Sequence, residues 1–171
     1  MKLITPSFEL EAEFSAFYHD LLLNDNENAE YYQDSAVDFD HYVQRLIDES
    51  LGLNLREGYV PCSHFWLVDE SQTIIGIVRV RHNIDTDFLA REAGHIGYCV
   101  APAFRRKGLG TLMLKLALLE AQKLGIQSAL LTANEFNIGS RRVIEANGGK
   151  FNKVIQGEVI RAPIVRYWIS L

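Results

Sequence analysis

Apolar residues recur at helical spacing in two segments near the start of the chain. After a short predicted strand at residues 2–4, a first helix is predicted to begin at Pro6, with an apolar face formed by Phe8, Phe14, Phe17, Leu21 and Leu22. A second helix is predicted to begin near Asp38 or Asp40, either of which could cap it, with an apolar face formed by Tyr42, Val43, Leu46 and Ile47. Residues 22–38 between them are mostly polar and are predicted to form a loop.

Strand-like patterns follow these helices. β-Branched and aromatic residues dominate 63–69 and 73–82, and the short polar stretch between them predicts a hairpin. A polar loop near 83–91 separates this hairpin from a third predicted strand at 95–100. The later strands are predicted at 128–133, which is almost wholly apolar and typical of a strand covered on both faces, and at 150–155 and 164–170.

Two more helices complete the pattern. The longer is predicted at 108–124 and ends at Gly125; its apolar stripe is formed by Leu109, Leu112, Leu116 and Leu119, with Met113, Ala117 and Leu124 beside it. The shorter begins near Asn137 and ends at the Asn-Gly-Gly of residues 147–149, which tolerate left-handed backbone.

Length and composition narrow the class of protein. With 171 residues and 48% hydrophobic content, the chain can build one sizeable core, so one domain over residues 1–171 is expected. No apolar run approaches the roughly 20 residues of a membrane span and no signal peptide is apparent, so we expect a cytoplasmic protein with no membrane partner. The net charge of -5 makes nucleic acid an unfavourable binding partner. Cys62 and Cys99 are expected to be buried free thiols, and the histidines have no spacing typical of a metal site.

The most distinctive local feature is the segment RRKGLGT at residues 105–111, which we call the basic turn. It lies between the strand at 95–100 and the start of the long helix. Its two glycines allow the backbone to approach a ligand closely, and the first turn of the helix presents N–H groups without intrahelical partners. Because the helix dipole is positive at this end, the basic turn predicts an anion site.

The basic turn fits neither a Walker A loop nor a dinucleotide fingerprint, since it lacks the required lysine and third glycine. Arg105, Gly108 and Gly110 instead resemble motif A of the GNAT superfamily of acyl-CoA-dependent N-acetyltransferases. The resemblance covers residues 63–170, because the strands HIGYCV and SALLTA flank the helix and NEFNIGSRRVIEANGGKF is similar to motif B. It implies an α+β, three-layer GNAT-like fold, with a mixed central sheet flanked by helices, and acetyl-CoA as co-substrate.

The resemblance also implies where acetyl-CoA binds. The pantetheine arm pairs with the strand at Tyr98, Cys99 and Val100, and the pyrophosphate accepts hydrogen bonds from the amides of Arg106, Lys107, Gly108, Leu109, Gly110 and Thr111. Arg106 or Lys107 is expected to approach a phosphate from the rim of the site. At least one of the three basic residues Arg105, Arg106 and Lys107 is expected to stay solvated. Asn137 matches the motif B asparagine that contacts pantetheine, with Ser140 following it, although Asn137 could be only a helix cap.

The implied reaction is direct attack of a neutral amine on the thioester, with a backbone N–H near Tyr98 to Val100 holding the oxyanion. Many members have a tyrosine as general acid where this chain has Ile144, so Tyr98 is the substitute candidate, or else part of the core wall. Glu92 is the first candidate for the general base and His95 the second. Their alternatives are an exposed loop charge and a structural histidine, and a water relay could replace either.

These features predict an N-acetyltransferase that moves an acetyl group from acetyl-CoA to the primary amine of a small molecule, without a metal. The alternatives are a noncatalytic acyl-CoA-binding or sensing module, and a protein or peptide N-acetyltransferase, which Thr132 disfavours because some protein-acetylating members have glutamate there. Acidic residues within 24–34 could line the acceptor site and suit a cationic amine, or could simply be solvated. The apolar residues of the last strand could form a homodimer surface or pack inward; they are Val165, Tyr167 and Ile169.

Overall fold

The computed structural model describes all 171 residues as seven strands and six α-helices, joined by short 3-10 and π-helical turns. The strands are β1 (Lys2–Ile4), β2 (Cys62–Val68), β3 (Ile74–Arg81), β4 (Ile96–Val100), β5 (Ser128–Asn134), β6 (Lys150–Gln156) and β7 (Pro163–Ser170). The helices are α1 (Glu11–Asn24), α2 (Asn26–Ala29), α3 (Asp34–Val37), α4 (Phe39–Leu51), α5 (Leu109–Lys123) and α6 (Ile138–Ala146).

The strands form two sheets that meet between β4 and β5. The first has the order β1-β2-β3-β4 and the second β5-β7-β6, and every neighbouring pair is antiparallel. At the junction, the His95 N–H donates to the Leu130 carbonyl at 2.7 Å, and the Leu130 N–H donates to the His95 ring at 2.9 Å. β4 and β5 are the facing edge strands of their sheets, so the chain leaves an edge for a ligand beside β4.

Two hydrophobic cores cover opposite faces of the first sheet. One contains the buried residues of α5, α6 and both sheets, including Met113, Ala117 and Ile144. The other packs α1, α4 and the short helices between them against β2, β3 and β4, with Phe14 and Trp66 at its centre and ring centroids 5.0 Å apart. This arrangement of helices on both sides of β-structure confirms the predicted α+β class.

The local pattern predicted most strands and helix starts correctly. The hairpin of β2 and β3 is present, and Asp38 caps α4 by accepting the His41 N–H at 2.9 Å. The first helix is different from the prediction: Ser7 caps a 3-10 turn at Phe8–Leu10, and α1 begins only at Glu11. Phe8 and Leu22 are exposed, so its buried face is narrower than expected.

The predicted loop at 22–38 is wrong, because it contains α2, a 3-10 turn at Glu30–Tyr32 and α3. Ala29, Tyr32 and Ser35 of this segment are buried against the neighbouring helices. The predicted loop near 83–91 likewise ends in a π-helical turn at Leu89–Ala93. In both segments, burial of a few separated residues stabilises helical turns whose sequence is otherwise polar.

The predicted apolar face of α5 is only partly correct: Met113 and Ala117 are buried, and Leu109 and Leu116 pack at the edge of the core. The buried positions are Met113, Leu114, Ala117, Leu118 and Ala121, whereas Leu119 and Leu124 are exposed. Ala117 and Ala121 let the helix approach the sheet closely, so the buried face is centred on them and is shifted by about one position from the predicted stripe.

Two smaller expectations concern the burial of side chains. Cys62 and Cys99 are buried and free, as predicted. Val165, Tyr167 and Ile169 pack inward and are at most 4% exposed, so they do not supply a homodimer surface. No helix in the structure combines the length and the apolar character that a membrane crossing requires.

Candidate active site

The basic turn presents a run of backbone donors that the protein does not use. None of the N–H groups of residues 106–111 donates a hydrogen bond to a protein acceptor, and the first bond of this helix runs from the Leu112 N–H to the Gly108 carbonyl at 3.1 Å. Arg106 and Gly108 have φ values of 63° and 76°, which turn successive N–H groups toward one side. Six consecutive free amides at the positive end of α5 fit a diphosphate.

Two of the three basic side chains are held by the protein itself. Arg105 donates from Nε to the Val100 carbonyl at 2.8 Å and forms an ion pair with Asp25. Lys107 donates to the Ala103 carbonyl at 2.9 Å, and its ammonium lies 5.4 Å from the centre of the Phe104 ring. Arg106 is exposed and has no polar partner, so it is the basic side chain best able to reach a phosphate on the rim.

The backbone of β4 faces the gap between the sheets at alternate residues. The His95 carbonyl accepts from Arg81 N at 2.8 Å, and Ala101 N donates to the Ile75 carbonyl at 2.9 Å, so odd-numbered residues of this strand face β3. By the alternation of an antiparallel ladder, Tyr98 and Val100 turn their N–H groups toward the open edge. The backbone of Cys99 faces β3, and its side chain is buried in the α1–α4 core.

Tyr98 reaches across the gap to α6. Its hydroxyl lies 2.8 Å from Ser140 Oγ and 3.2 Å from the Ser140 carbonyl oxygen. Burial raises the pKa of Tyr98 to about 12, with the Ser140 hydrogen bond acting in the opposite direction. Asn137 caps α6 by accepting the Ser140 N–H at 2.9 Å, which leaves its amide N–H₂ free for a ligand. The structure therefore brings together Tyr98, Ser140 and Asn137 at the open edge of β4.

Glu92 is buried and holds the loop between β6 and β7. Its carboxylate accepts the backbone N–H groups of Glu158, Val159 and Ile160 at 2.8 to 3.2 Å. These hydrogen bonds lower the pKa of Glu92, and the bond from the Ile160 N–H contributes most. A carboxylate with both oxygens engaged in this way is arranged to stabilise a loop.

His95 lies at the junction of the two sheets with only 7% of its surface exposed. Burial, followed by the charge of Arg81, lowers the pKa of His95, so the ring is neutral near pH 7. Because Nδ1 accepts from the Leu130 N–H, the neutral ring carries its proton on Nε2. In that tautomer His95 offers a donor and has no free lone pair with which to accept a proton.

One residue at the site was missed from the sequence. Arg79 lies on β3 opposite Gly97 of β4, and its guanidinium has neither a hydrogen-bond partner nor an acidic partner. The signal was present in the strand IIGIVRVR, where strict alternation places Arg79 on the same face as the buried Ile77. The composition of this strand predicts its place in a hairpin and gives no indication that Arg79 is unpaired.

A profile of the acetyltransferase (GNAT) family matches residues 16–148, which is most of the chain. The chain therefore belongs to the GNAT acetyltransferase family. This membership confirms the predicted family, the enzyme class and acetyl-CoA as the co-substrate. No curated protein sequence matches the chain significantly.

Solved structures share the fold at low sequence identity. The microcin C7 self-immunity acetyltransferase MccE, in complex with acetyl-CoA and AMP, has a TM-score of 0.66 and 16% identity over 99% of this chain and 91% of its own. The ribosomal L7/L12 alpha-N-protein acetyltransferase RimL, in complex with coenzyme A, has a TM-score of 0.71 and 16% identity over 99% and 93%. A chimera of Vibrio cholerae spermidine N-acetyltransferase SpeG and hSSAT has a TM-score of 0.64 and 18% identity over 99% and 96%.

Proposed function

We propose that this protein transfers the acetyl group of acetyl-CoA to a primary amine of a small molecule by direct attack. The observation that carries the proposal is the run of free amides at residues 106–111, directly beside the open edge of β4. One domain over residues 1–171 is part of the proposal, because the N-terminal helices pack on the same sheet that contains β4.

The free amides of the basic turn bind the pyrophosphate, and Arg106 approaches a phosphate from the rim. The N–H groups of Tyr98 and Val100 then pair with the pantetheine arm, as an added strand pairs with a sheet edge. The Asn137 side-chain amide lies at the start of α6, within the same gap, and donates to the arm. Most of these contacts come from backbone groups, so they depend on chain geometry more than on residue type.

In the transfer step, the neutral amine nitrogen attacks the thioester carbonyl carbon and forms the C–N bond. The oxyanion that develops on the thioester carbonyl, at the acyl end of the arm, is held by the Tyr98 N–H at the open edge of β4. Collapse of the intermediate breaks the C–S bond, and the Tyr98 hydroxyl donates its proton to the leaving thiolate. Ser140, 2.8 Å away, keeps the tyrosine hydroxyl in place.

Solvent accepts the proton that the amine nitrogen loses and returns a proton to Tyr98, so the hydroxyl is restored for the next turnover. Neither of the predicted bases is included in this proposal, because Glu92 is engaged by loop amides and His95 carries its proton on the free nitrogen. Thr132 supports a small substrate over a protein one, since its hydroxyl donates to the Glu92 carbonyl at 2.7 Å and leaves no carboxylate at that position.

The test is to incubate the protein with acetyl-CoA and a panel of small amines, polyamines and peptides, and to follow thiol release. We expect release to depend on both the enzyme and a small primary amine, and acetylated product to form in equal amount. Calorimetry with CoA provides the binding control. Binding without turnover on any amine would favour the acyl-CoA-sensing alternative, and turnover only on peptides would favour the protein-acetylating one.

A further inference from the structure

We propose that Arg79 binds a carboxylate of the acceptor, so that the substrate is an amine carrying a carboxylate only a few bonds from its nitrogen. This inference rests on the proposed function and adds the substrate class. It also reverses the expectation of a cationic acceptor suggested by the acidic residues of 24–34.

The Arg79 side chain extends from β3 over β4 at Gly97, the position where β4 has no side chain. The register pairs Arg79 with Gly97, and a methyl group on Gly97 would meet Arg79 Nε at 3.0 Å, Nη2 at 3.3 Å and Cζ at 3.4 Å. Gly97 and Cys99 share the face that is covered by α1 and α4, opposite to the face that carries Tyr98. The guanidinium is therefore beside the reacting edge of β4, on the side away from α5.

The charge of Arg79 has no counter-charge within the protein. Its guanidinium forms no salt bridge, and its Nε is fully buried without a hydrogen-bond acceptor. Nearby arginines differ in this respect: Arg45 pairs with Asp34 and Glu49, and Arg81 donates to the Gly94 carbonyl at 2.9 Å. A buried donor without a partner is costly, and an anionic ligand would remove that cost.

The neighbours of Arg79 include an aromatic ring, a histidine and a second arginine. The Tyr31 ring centre lies 5.7 Å from the guanidinium carbon. His64 is directly opposite Arg79 on β2, but burial lowers the pKa of His64 and its Nε2 lies 2.7 Å from Glu49 Oε2, so Glu49 is bound by His64 and by Arg45 and not by Arg79. Burial and then the charge of Arg79 lower the pKa of Arg81 to about 10. Of the four acidic residues of 24–34, Asp25 pairs with Arg105 and Asp34 with Arg45, while Glu27 and Glu30 are exposed and form no ion pair with Arg79.

The chemistry selects the ligand. A guanidinium presents parallel N–H donors that match the two oxygens of a carboxylate. Gly97 directly precedes Tyr98, whose N–H faces the thioester edge, so an anion on Arg79 lies close to the attacked carbonyl. The nitrogen and the carboxylate of one substrate can occupy both places only when few bonds separate them. An α- or β-amino acid meets this condition, whereas a polyamine does not.

The test compares matched acceptors that differ only in the carboxylate: an α-amino acid, its amide and its decarboxylated amine, for several side chains. With wild-type protein we expect kcat/KM, corrected for the fraction of neutral amine, to be about 10- to 100-fold higher for the acid. The decarboxylated amine is more basic than the amino acid, and its neutral form is therefore the better nucleophile, so for that pair reactivity alone would give the opposite order. Equal values for acid and amide would overturn the inference while leaving the proposed function intact.

Substitution of Arg79 adds a second arm. In Arg79→Met, kcat/KM should fall about 10- to 100-fold for the acid and change little for the decarboxylated amine. In Arg79→Lys, kcat/KM for the acid should be intermediate, because lysine keeps the charge but not the pair of parallel N–H donors. The control is Lys115→Met, which removes an exposed positive charge from α5. Thermal unfolding should show no loss of stability in Arg79→Met, since the buried unpaired Nε is removed. An equal loss on acid and amine, or marked destabilisation, would instead assign Arg79 a structural role.

If no amine is acetylated, the proposed function fails, and binding measurements alone then test whether Arg79 holds a carboxylate. Calorimetry in the presence of CoA would then compare an N-acetyl amino acid with the matching N-acetyl amine. Binding of the acid that depends on Arg79 supports the inference, and failure to bind the acid overturns it.

Discussion

The basic turn at the end of β4 and the Arg79 side chain beside β4 are both positively charged, but they differ in which groups are free to bind a ligand. In the basic turn, the side chains of Arg105 and Lys107 are bound to groups of the protein, while the backbone amides are free. At Arg79 the backbone is part of the sheet and the side chain is free. The conspicuous run of basic residues is therefore largely structural, and the single inconspicuous arginine is available to a ligand.

This difference has a physical origin. Free amides arise wherever a helix begins, and the glycines that allow a ligand to approach are adjacent in sequence. A free side chain within a sheet arises only when its neighbours across several strands leave it without a partner. Local sequence therefore specifies the first kind of site, and long-range packing specifies the second.

The largest effect should come from an acidic residue in the basic turn. Gly108→Asp places a carboxylate where the pyrophosphate binds, so affinity for CoA should fall about 100-fold or more, because like charges would be brought together. Calorimetry with CoA measures the change. Arg79→Met should leave this affinity unchanged, which separates the two regions directly.

Gly125→Asp is the matched control, since it lies at the opposite end of α5. The two glycines have φ values of 76° and 82°, and a Cβ atom added at either position would meet nothing within 4 Å, so both substitutions carry similar backbone strain. Gly125→Asp should bind CoA normally. Equal affinities in the two variants would mean that the basic turn is not the diphosphate site.

A smaller effect is expected from the proposed general acid. Tyr98→Phe should lower kcat about 100-fold with little change in the KM for acetyl-CoA, because the proton donor is lost while the backbone contacts remain. Steady-state thiol release measures both constants. The control is Tyr167→Phe, which also removes a tyrosine hydroxyl bonded to α6, through Glu145 at 2.7 Å, but lies outside the gap.

The pH profile of the wild-type enzyme gives an independent check on Tyr98. Because its pKa is raised to about 12, the hydroxyl stays protonated throughout the usual assay range. The rate should then rise with pH as the amine loses its proton and should not fall again below about pH 10. Unchanged kcat in Tyr98→Phe would show that the thiolate leaves without an acid.

Local sequence predicted the parts of the fold whose signals are short in range. The caps at Asp38 and Asn137 are present because each side chain accepts an N–H three residues ahead. The helices within 22–38 were missed because their stability depends on contacts such as that of Tyr32 with Phe17, whose ring centres lie 5.4 Å apart. A polar pattern carries no information about such a distant partner.

The candidate site divides in the same way. The family resemblance placed the free amides and the edge of β4, which follow from strand, turn and helix in sequence. It could not place the partners of Glu92, because they are the amides of residues 158–160, more than sixty residues away. It also could not show that Arg79 lacks a partner, since that requires knowing the positions of Asp34, Glu49 and Asp25.

The smallest predicted effect concerns Glu92 and sharpens the distinction between structural and functional charge. Glu92→Gln keeps the shape of the side chain but weakens its bonds to the loop amides, so the unfolding temperature should fall by a few degrees with kcat nearly unchanged. The pKa of Glu92 is lowered in the folded state, so its contribution to stability is present above the unfolded value of about 4.3 and is lost as pH falls through the folded value. The difference in unfolding temperature between wild type and Glu92→Gln should therefore be full at neutral pH and shrink below about pH 4. Thermal unfolding across this range measures it. A large loss of kcat with unchanged stability would instead return Glu92 to the role of general base.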